Sequence, residues 1–140
     1  MIVKQLMQKE LVTCNPSDSV HDAAAKMKDY GVGAVLIVDE GMNLRGILTD
    51  RDIALSVVGD SKDPRTAIVS DIMTPNPTSI SSDIDIESAL KTMSSENVRR
   101  LPVTQDGRVI GLLSTSDLAT EIKEEFDQFL SLEQAFAKQH

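Results

Sequence analysis

The sequence predicts a mixed α/β (α+β) protein. Two repeated β-α-β-β-α motifs pack as a pseudo-twofold pair, and a helical extension follows at the C-terminus. Internal repetition carries this reading. Residues 3–41 lie over residues 69–107 at a shift of 66, pairing Val3 with Val69, Met7 with Met73, Ala23 with Ala89, Met27 with Met93 and Val32 with Val98. The shift then falls to 65, pairing Gly46 with Gly111, Leu48 with Leu113, Asp52 with Asp117 and Ala54 with Ala119. Size is the second observation. A chain of 140 residues normally forms one compact domain, and halves of about 60 residues are marginal alone, so the repeats should share a core. The third is the placement of all 3 phenylalanines, Phe126, Phe129 and Phe136, beyond the second repeat.

The elements of repeat one follow in order. Leu11–Cys14 reads as a brief strand stopped by Asn15-Pro16, and Ser17 or Asp18 caps a helix. Val20, Ala23, Ala24 and Met27 give that helix an apolar face at i, i+3, i+4, i+7, and Gly31 ends it. Val35–Val38 is an apolar run of strand length, Asp39-Glu40-Gly41 a turn, and Leu44–Leu48 a second strand. Thr49 opens a helix through Ile53, Ala54 and Val57, and residues 59–64 are loop. Repeat two gives a strand at Thr78–Ile80, a helix over Ile86, Ala89, Leu90 and Met93, strands at Leu101–Thr104 and Val109–Leu113, and a helix from Ser114. The expected boundaries are 1–66 for motif 1, 67–125 for motif 2 and 126–140 for the extension.

Composition narrows the functional classes. Net charge is −8, which argues against a nucleic-acid partner, since such proteins display a basic face. No apolar run approaches the ~20 residues of a membrane span, and Met1–Leu6 lacks the layout of a secretion signal. A cytoplasmic protein is expected. The single Cys14 cannot form an internal disulfide, which fits a reducing compartment.

Three phrases carry a family resemblance: Val69-Ser70-Asp71-Ile72-Met73-Thr74, Val98-Arg99-Arg100-Leu101-Pro102-Val103, and Gly46-Ile47-Leu48-Thr49-Asp50-Arg51-Asp52. Together with the element order they resemble the CBS domains, named for cystathionine β-synthase, over roughly residues 1–120. The resemblance implies a stand-alone CBS pair, packed sheet to sheet around two clefts. In many members such clefts bind adenosine-containing ligands such as AMP, ADP, ATP, S-adenosylmethionine or NAD. Carried over by position, one cleft joins Ile47, Thr49 and Asp52 to Thr78, Ser79, Val98 and Arg99, with Arg100 as the preferred phosphate anchor. The other joins Leu112, Ser114 and Asp117 to Thr13, Cys14, Val32 and Gly33. Apolar residues would sandwich the base, and backbone groups of the first strands would read its edge.

The residues point independently to the same places. Thr49…Asp52 and Ser114…Asp117 each stand where a strand turns into a helix, whose free N–H groups suit a phosphate. A carboxylate three residues on can accept from both hydroxyls of a ribose. The same pattern is also a capping box, although capping boxes favour Glu or Gln there. Arg99 and Arg100 break the symmetry, because their counterparts are Gly33 and Ala34. They serve either as a solvent-facing residue and a surface ion pair, or as a fork that clamps phosphate. Cys14 reads as a small core residue, His21 as a solvated one, and the repeat-matched methionines as core.

Leu118, Ile122, Phe126, Phe129, Leu130 and Phe136 form a stripe at helical spacing, with no Gly or Pro after residue 111 to stop the helix. Such a stripe covers its own module or, as the reading favoured here, a second subunit. The leading function is a regulatory sensor that binds an adenosine ligand, works as a homodimer and acts on a separate protein. The alternative is a ligand-free dimerisation or protein-interaction module. An enzyme is not expected: no Ser, His and Asp are grouped and no metal cluster stands in the sequence. No covalent cofactor, membrane or nucleic-acid partner is expected either.

Overall fold

The computed structural model describes residues 1–139. In chain order the elements are α1 (Val3–Leu6), β1 (Thr13–Cys14), α2 (Val20–Tyr30), β2 (Ala34–Val38), β3 (Leu44–Thr49) and α3 (Asp50–Ile53), which runs into a π-helical turn at Ala54–Val58. The second half supplies α4 (Val69–Ile72), β4 (Thr74–Pro75), β5 (Ile80–Ser81), α5 (Ile86–Glu96), β6 (Arg100–Gln105), β7 (Arg108–Ser114) and α6 (Thr115–Gln139). One sheet has the order β1-β2-β3-β4 and the other β5-β6-β7. The first strand of each is parallel to its neighbour, while β2/β3 and β6/β7 are antiparallel hairpins. Both hairpins shift register at repeat-equivalent places, Ile37/Val38 and Val103/Thr104. The repeat in sequence is therefore a repeat in backbone, down to its irregularities.

Each repeat lends its opening segment to the other. Val3 and Met7 are buried with Ile80, Ala89, Met93, Leu101 and Leu113 of repeat two. Reciprocally, Val69 is buried with Cys14, Ala23, Met27, Val35 and Leu48 of repeat one. Two repeat-matched glycines make the exchange possible. A Cβ on Gly46 would overlap the Sδ of Met73, and one on Gly111 would overlap the Sδ of Met7. Backbone pairing follows the same route: Thr74 lies opposite Ile47, and Gln8 exchanges hydrogen bonds with Leu112 at 2.8 and 3.0 Å. A third cluster, Leu36, Val38 and Val109, closes the contact between the sheets.

Most elements form where the apolar spacing places them; the spacing gives no sign of α1, α4 or β4, and three further details differ. Ser19, not Ser17 or Asp18, caps α2, and its Oγ accepts from the Asp22 N–H at 3.1 Å. Asp18 instead accepts from the Asn15 N–H, tightening the turn before the helix. The first strand of repeat one shortens to Thr13–Cys14, and that of repeat two, expected at Thr78–Ile80, forms at Ile80–Ser81. Leu90 stands exposed, because α5 buries only Ala89 and Met93. The last helix does run on, to Gln139; Leu118 of its stripe is buried, whereas Ile122 is 54% exposed, Phe126 58% and Phe129 55%.

Candidate functional site

Two clefts open between the repeats. The larger, about 840 Å³, is lined from repeat one by Ile47, Thr49 and Asp52, and from repeat two by Thr78, Val98, Arg99 and Arg100. The smaller, about 490 Å³, gathers Leu112, Ser114 and Asp117 with Val32 and Gly33. Twelve of the fifteen residues expected from sequence thus fall into the two groups foreseen. Three do not. Thr13, Cys14 and Ser79 line neither cleft. Cys14 is buried in the repeat-one core, and that burial pushes its thiol pKa up although Lys26 pulls it down. The Thr13 carbonyl accepts from Lys26 Nζ. Leu11 and Val12, the residues just before the shortened strand, form that wall instead.

The two acidic turns are built alike at their base. Asp52 Oδ2 accepts from the Thr49 N–H at 2.9 Å, and Thr49 Oγ1 accepts from the Asp52 N–H at 3.2 Å. Asp117 Oδ2 accepts from both the N–H and the hydroxyl of Ser114, each at 2.9 Å. Both carboxylates therefore cap a helix, one oxygen apiece, which neutralises free donors at its start. Their remaining oxygens differ. Asp117 Oδ1 accepts from Gln8 Nε2 at 2.8 Å. The repeat counterpart of Gln8 is Thr74, and among the described residues Asp52 Oδ1 has no such partner. The charged acceptor in the larger cleft is open; that in the smaller is engaged by the protein.

Helix ends frame both clefts. Gly31 ends α2 at φ 64° and lines the smaller one; Asn97 ends α5 at φ 55° and lines the larger. Asn is the residue other than Gly that best tolerates this left-handed cap. Arg51, Arg99 and Arg100 all reach the larger cleft, together with Asp50, Asp52 and Glu96. Among the described residues none of these arginines lies within 4.0 Å of a carboxylate, so the surface ion pair considered for Arg99 and Arg100 is not formed. Gln8, Asp50 and Asn97 were not singled out in the sequence. Gln8 follows a repeat-matched methionine, and that position was its one available signal. Among the described residues no group of three or more His, Cys, Asp or Glu could hold a metal ion. No described helix is long and apolar enough to cross a membrane.

A pair of hairpin sheets that exchange their opening segments, with a capped strand-to-helix turn facing each shared cleft, defines a tandem regulatory module. The CBS domain model matches twice, at residues 3–59 and 69–124, and the chain belongs to the CBS-domain family. It is 40% identical over 118 residues to the uncharacterized protein YlbB of Bacillus subtilis, covering 84% of this chain and 79% of that one. The CBS domain-containing protein YhcV of the same organism is 35% identical over 117 residues, covering 84% and 82%. Among solved structures, the CBS domain pair of protein MJ0100 superposes with a TM-score of 0.79 at 28% identity, over 89% of this chain and 98% of that chain. That structure is a complex with 5′-methylthioadenosine and S-adenosyl-L-methionine. CBS pair proteins are regulatory modules, and YhcV is named for the domain and not for a reaction.

Proposed function

We propose that this chain is a sensor module that binds an adenosine-containing ligand, with AMP, ADP or ATP and then S-adenosylmethionine or NAD as the candidates. The carrying observation is the open Oδ1 of Asp52, facing a cleft completed by the other repeat. A ribose presents two adjacent hydroxyls, and a carboxylate anchored at a helix start can accept from both. Ile47, Val98 and Pro102 offer apolar surface for a base, and Arg51, Arg99 and Arg100 offer donors for phosphate. The adenosine compounds bound by the MJ0100 pair support the same ligand class. Ligand binding is the molecular act, and catalysis is no part of this reading.

A homodimer is the assembly that this reading adopts, since Ile122, Phe126 and Phe129 of the α6 stripe stay exposed on their own module. The ligand-free interaction module is the competing reading, and the cap made by Asp52 is what favours it. Calorimetry with AMP, ADP, ATP, S-adenosylmethionine and NAD separates the two. At least one should bind with a Kd of roughly 1–100 µM, or about 5–8 kcal/mol. A ligand at 100 times its Kd should also raise stability by about 2.7 kcal/mol. No heat and no melting shift with any of the five would leave the interaction module standing.

A further inference from the structure

Arg100 lines both clefts. It opens β6, directly opposite Ser114, the hydroxyl residue of the smaller cleft's acidic turn. Its Nη2 lies 3.3 Å from where a Cβ on Gly33 would stand, and Asp50 Oδ2 lies 3.1 Å from the same point. Gly33 belongs to the smaller cleft and Asp50 to the larger. The guanidinium thus stands at the wall between them, and any side chain at position 33 would crowd it. Among the described residues it forms no ion pair. Its repeat counterpart is the buried Ala34, so the pseudo-twofold supplies this cation once and not twice.

The clefts depend on it unequally. The larger also has Arg51 and Arg99, whereas the smaller has no other cation among the described residues and contains Glu10 and Asp117. A planar fork on a flexible stem can serve an anion on either side, but not both at once. We propose that Arg100 is a shared anion anchor, so that a phosphate bound in the larger cleft withdraws the only cation of the smaller and weakens phosphate binding there. The inference rests on the nucleotide reading of both clefts. It adds that the two sites are antagonistic toward anionic ligands and independent toward uncharged ones.

Titration of the full chain with AMP, and with adenosine as its uncharged twin, tests this. Asp52→Asn weakens the larger cleft roughly 10- to 150-fold, so the smaller one fills first and is read before it. AMP should bind that variant on the order of tenfold tighter than it binds the second site of the wild type, within the usual range of coupling between sites. Adenosine should show no such gap. Arg99→Gln should weaken one AMP site, while Arg100→Gln should weaken both and erase the gap, with Arg100→Lys intermediate. Equal AMP affinity for the variant and for the wild-type second site would overturn the sharing, as would an Arg100→Gln protein that loses only one site. A wild-type chain with a single AMP site that Asp52→Asn simply abolishes would overturn it too. Absence of any binding by AMP and adenosine would instead overturn the nucleotide reading beneath it.

Discussion

Replacing Asp52 by Asn separates ligand recognition from helix capping, because the two duties fall on different oxygens. Oδ2 takes the Thr49 N–H at 2.9 Å. An asparagine can turn its amide oxygen to the same donor, leaving its NH2 where Oδ1 has no partner among the described residues. The cap therefore survives in kind. Its loss of charge near a helix start should cost about 0.3–1 kcal/mol. For a 140-residue chain that is a fall in Tm of a few degrees, about 3–5 °C per kcal/mol. Ligand binding should suffer more. Two ribose hydroxyls lose a charged acceptor, and hydrogen bonds to charged groups contribute about 1.5–3 kcal/mol. That corresponds to a Kd raised roughly 10- to 150-fold. Calorimetry with the best-binding nucleotide gives the first quantity, and a ligand-free melting curve gives the second. Unchanged affinity together with a Tm lowered by more than about 10 °C would refute the argument, since the carboxylate would then be a cap alone.

Asp117→Asn should weaken ligand binding less than Asp52→Asn does, because Gln8 already engages the free oxygen of Asp117; parallel titrations decide it. Gly46→Ala should destabilise by about 1–3 kcal/mol through collision with Met73 and the Thr74 carbonyl, and Met73→Ala in the same chain should recover only part of that loss in a double-mutant cycle. Removing residues 126–140 should shift the chain toward monomer in sedimentation while nucleotide binding survives; a truncated chain that stays dimeric would end the role given to the α6 stripe. Cys14 should react slowly with thiol reagents in the native protein and quickly once unfolded, since burial keeps it as the thiol. Its folded pKa is raised, so its contribution to stability holds below the unfolded value of about 8.5 and is lost as pH rises through the folded value.

Sequence spacing located what local physics decides. The apolar periods of α2 and α5, the unbroken run of β2 and the terminating Gly31 each follow from interactions within a few residues. Which residue caps α2 does not. Ser17, Asp18 and Ser19 are all competent, and Ser19 wins because Val20 N–H donates to the Ala67 carbonyl at 2.9 Å, fixing where the helix starts. That partner lies 47 residues away, beyond any local pattern. The clefts show the same division. Asp52 and Asp117 stood out because they recur in register just after a strand, and Arg100 because it breaks that register where Ala34 stands in repeat one; all three line a cleft. Thr13, Cys14 and Ser79 line neither cleft: Thr13–Cys14 is a two-residue strand with no room for an alternating pattern, Cys14 turns to the core, and Ser79 lies just before β5. The Gln8–Asp117 bond spans 109 positions and is invisible in one dimension.

The exchanged opening segments put a clock on biosynthesis. Met7 has no slot until Gly111 and the strands around Leu101 and Leu113 have been made. At about 5–20 residues per second, the roughly 100 intervening residues take the ribosome on the order of 5–20 s. During that interval Val3 and Met7 hang free as an apolar lure, and Gly46 waits for Met73 in the same way. Two nascent chains side by side on one message could each offer the other the missing piece. The intact monomer escapes that fate by finishing its own clasp first, so slower translation of the second repeat should favour interlocked pairs over single chains.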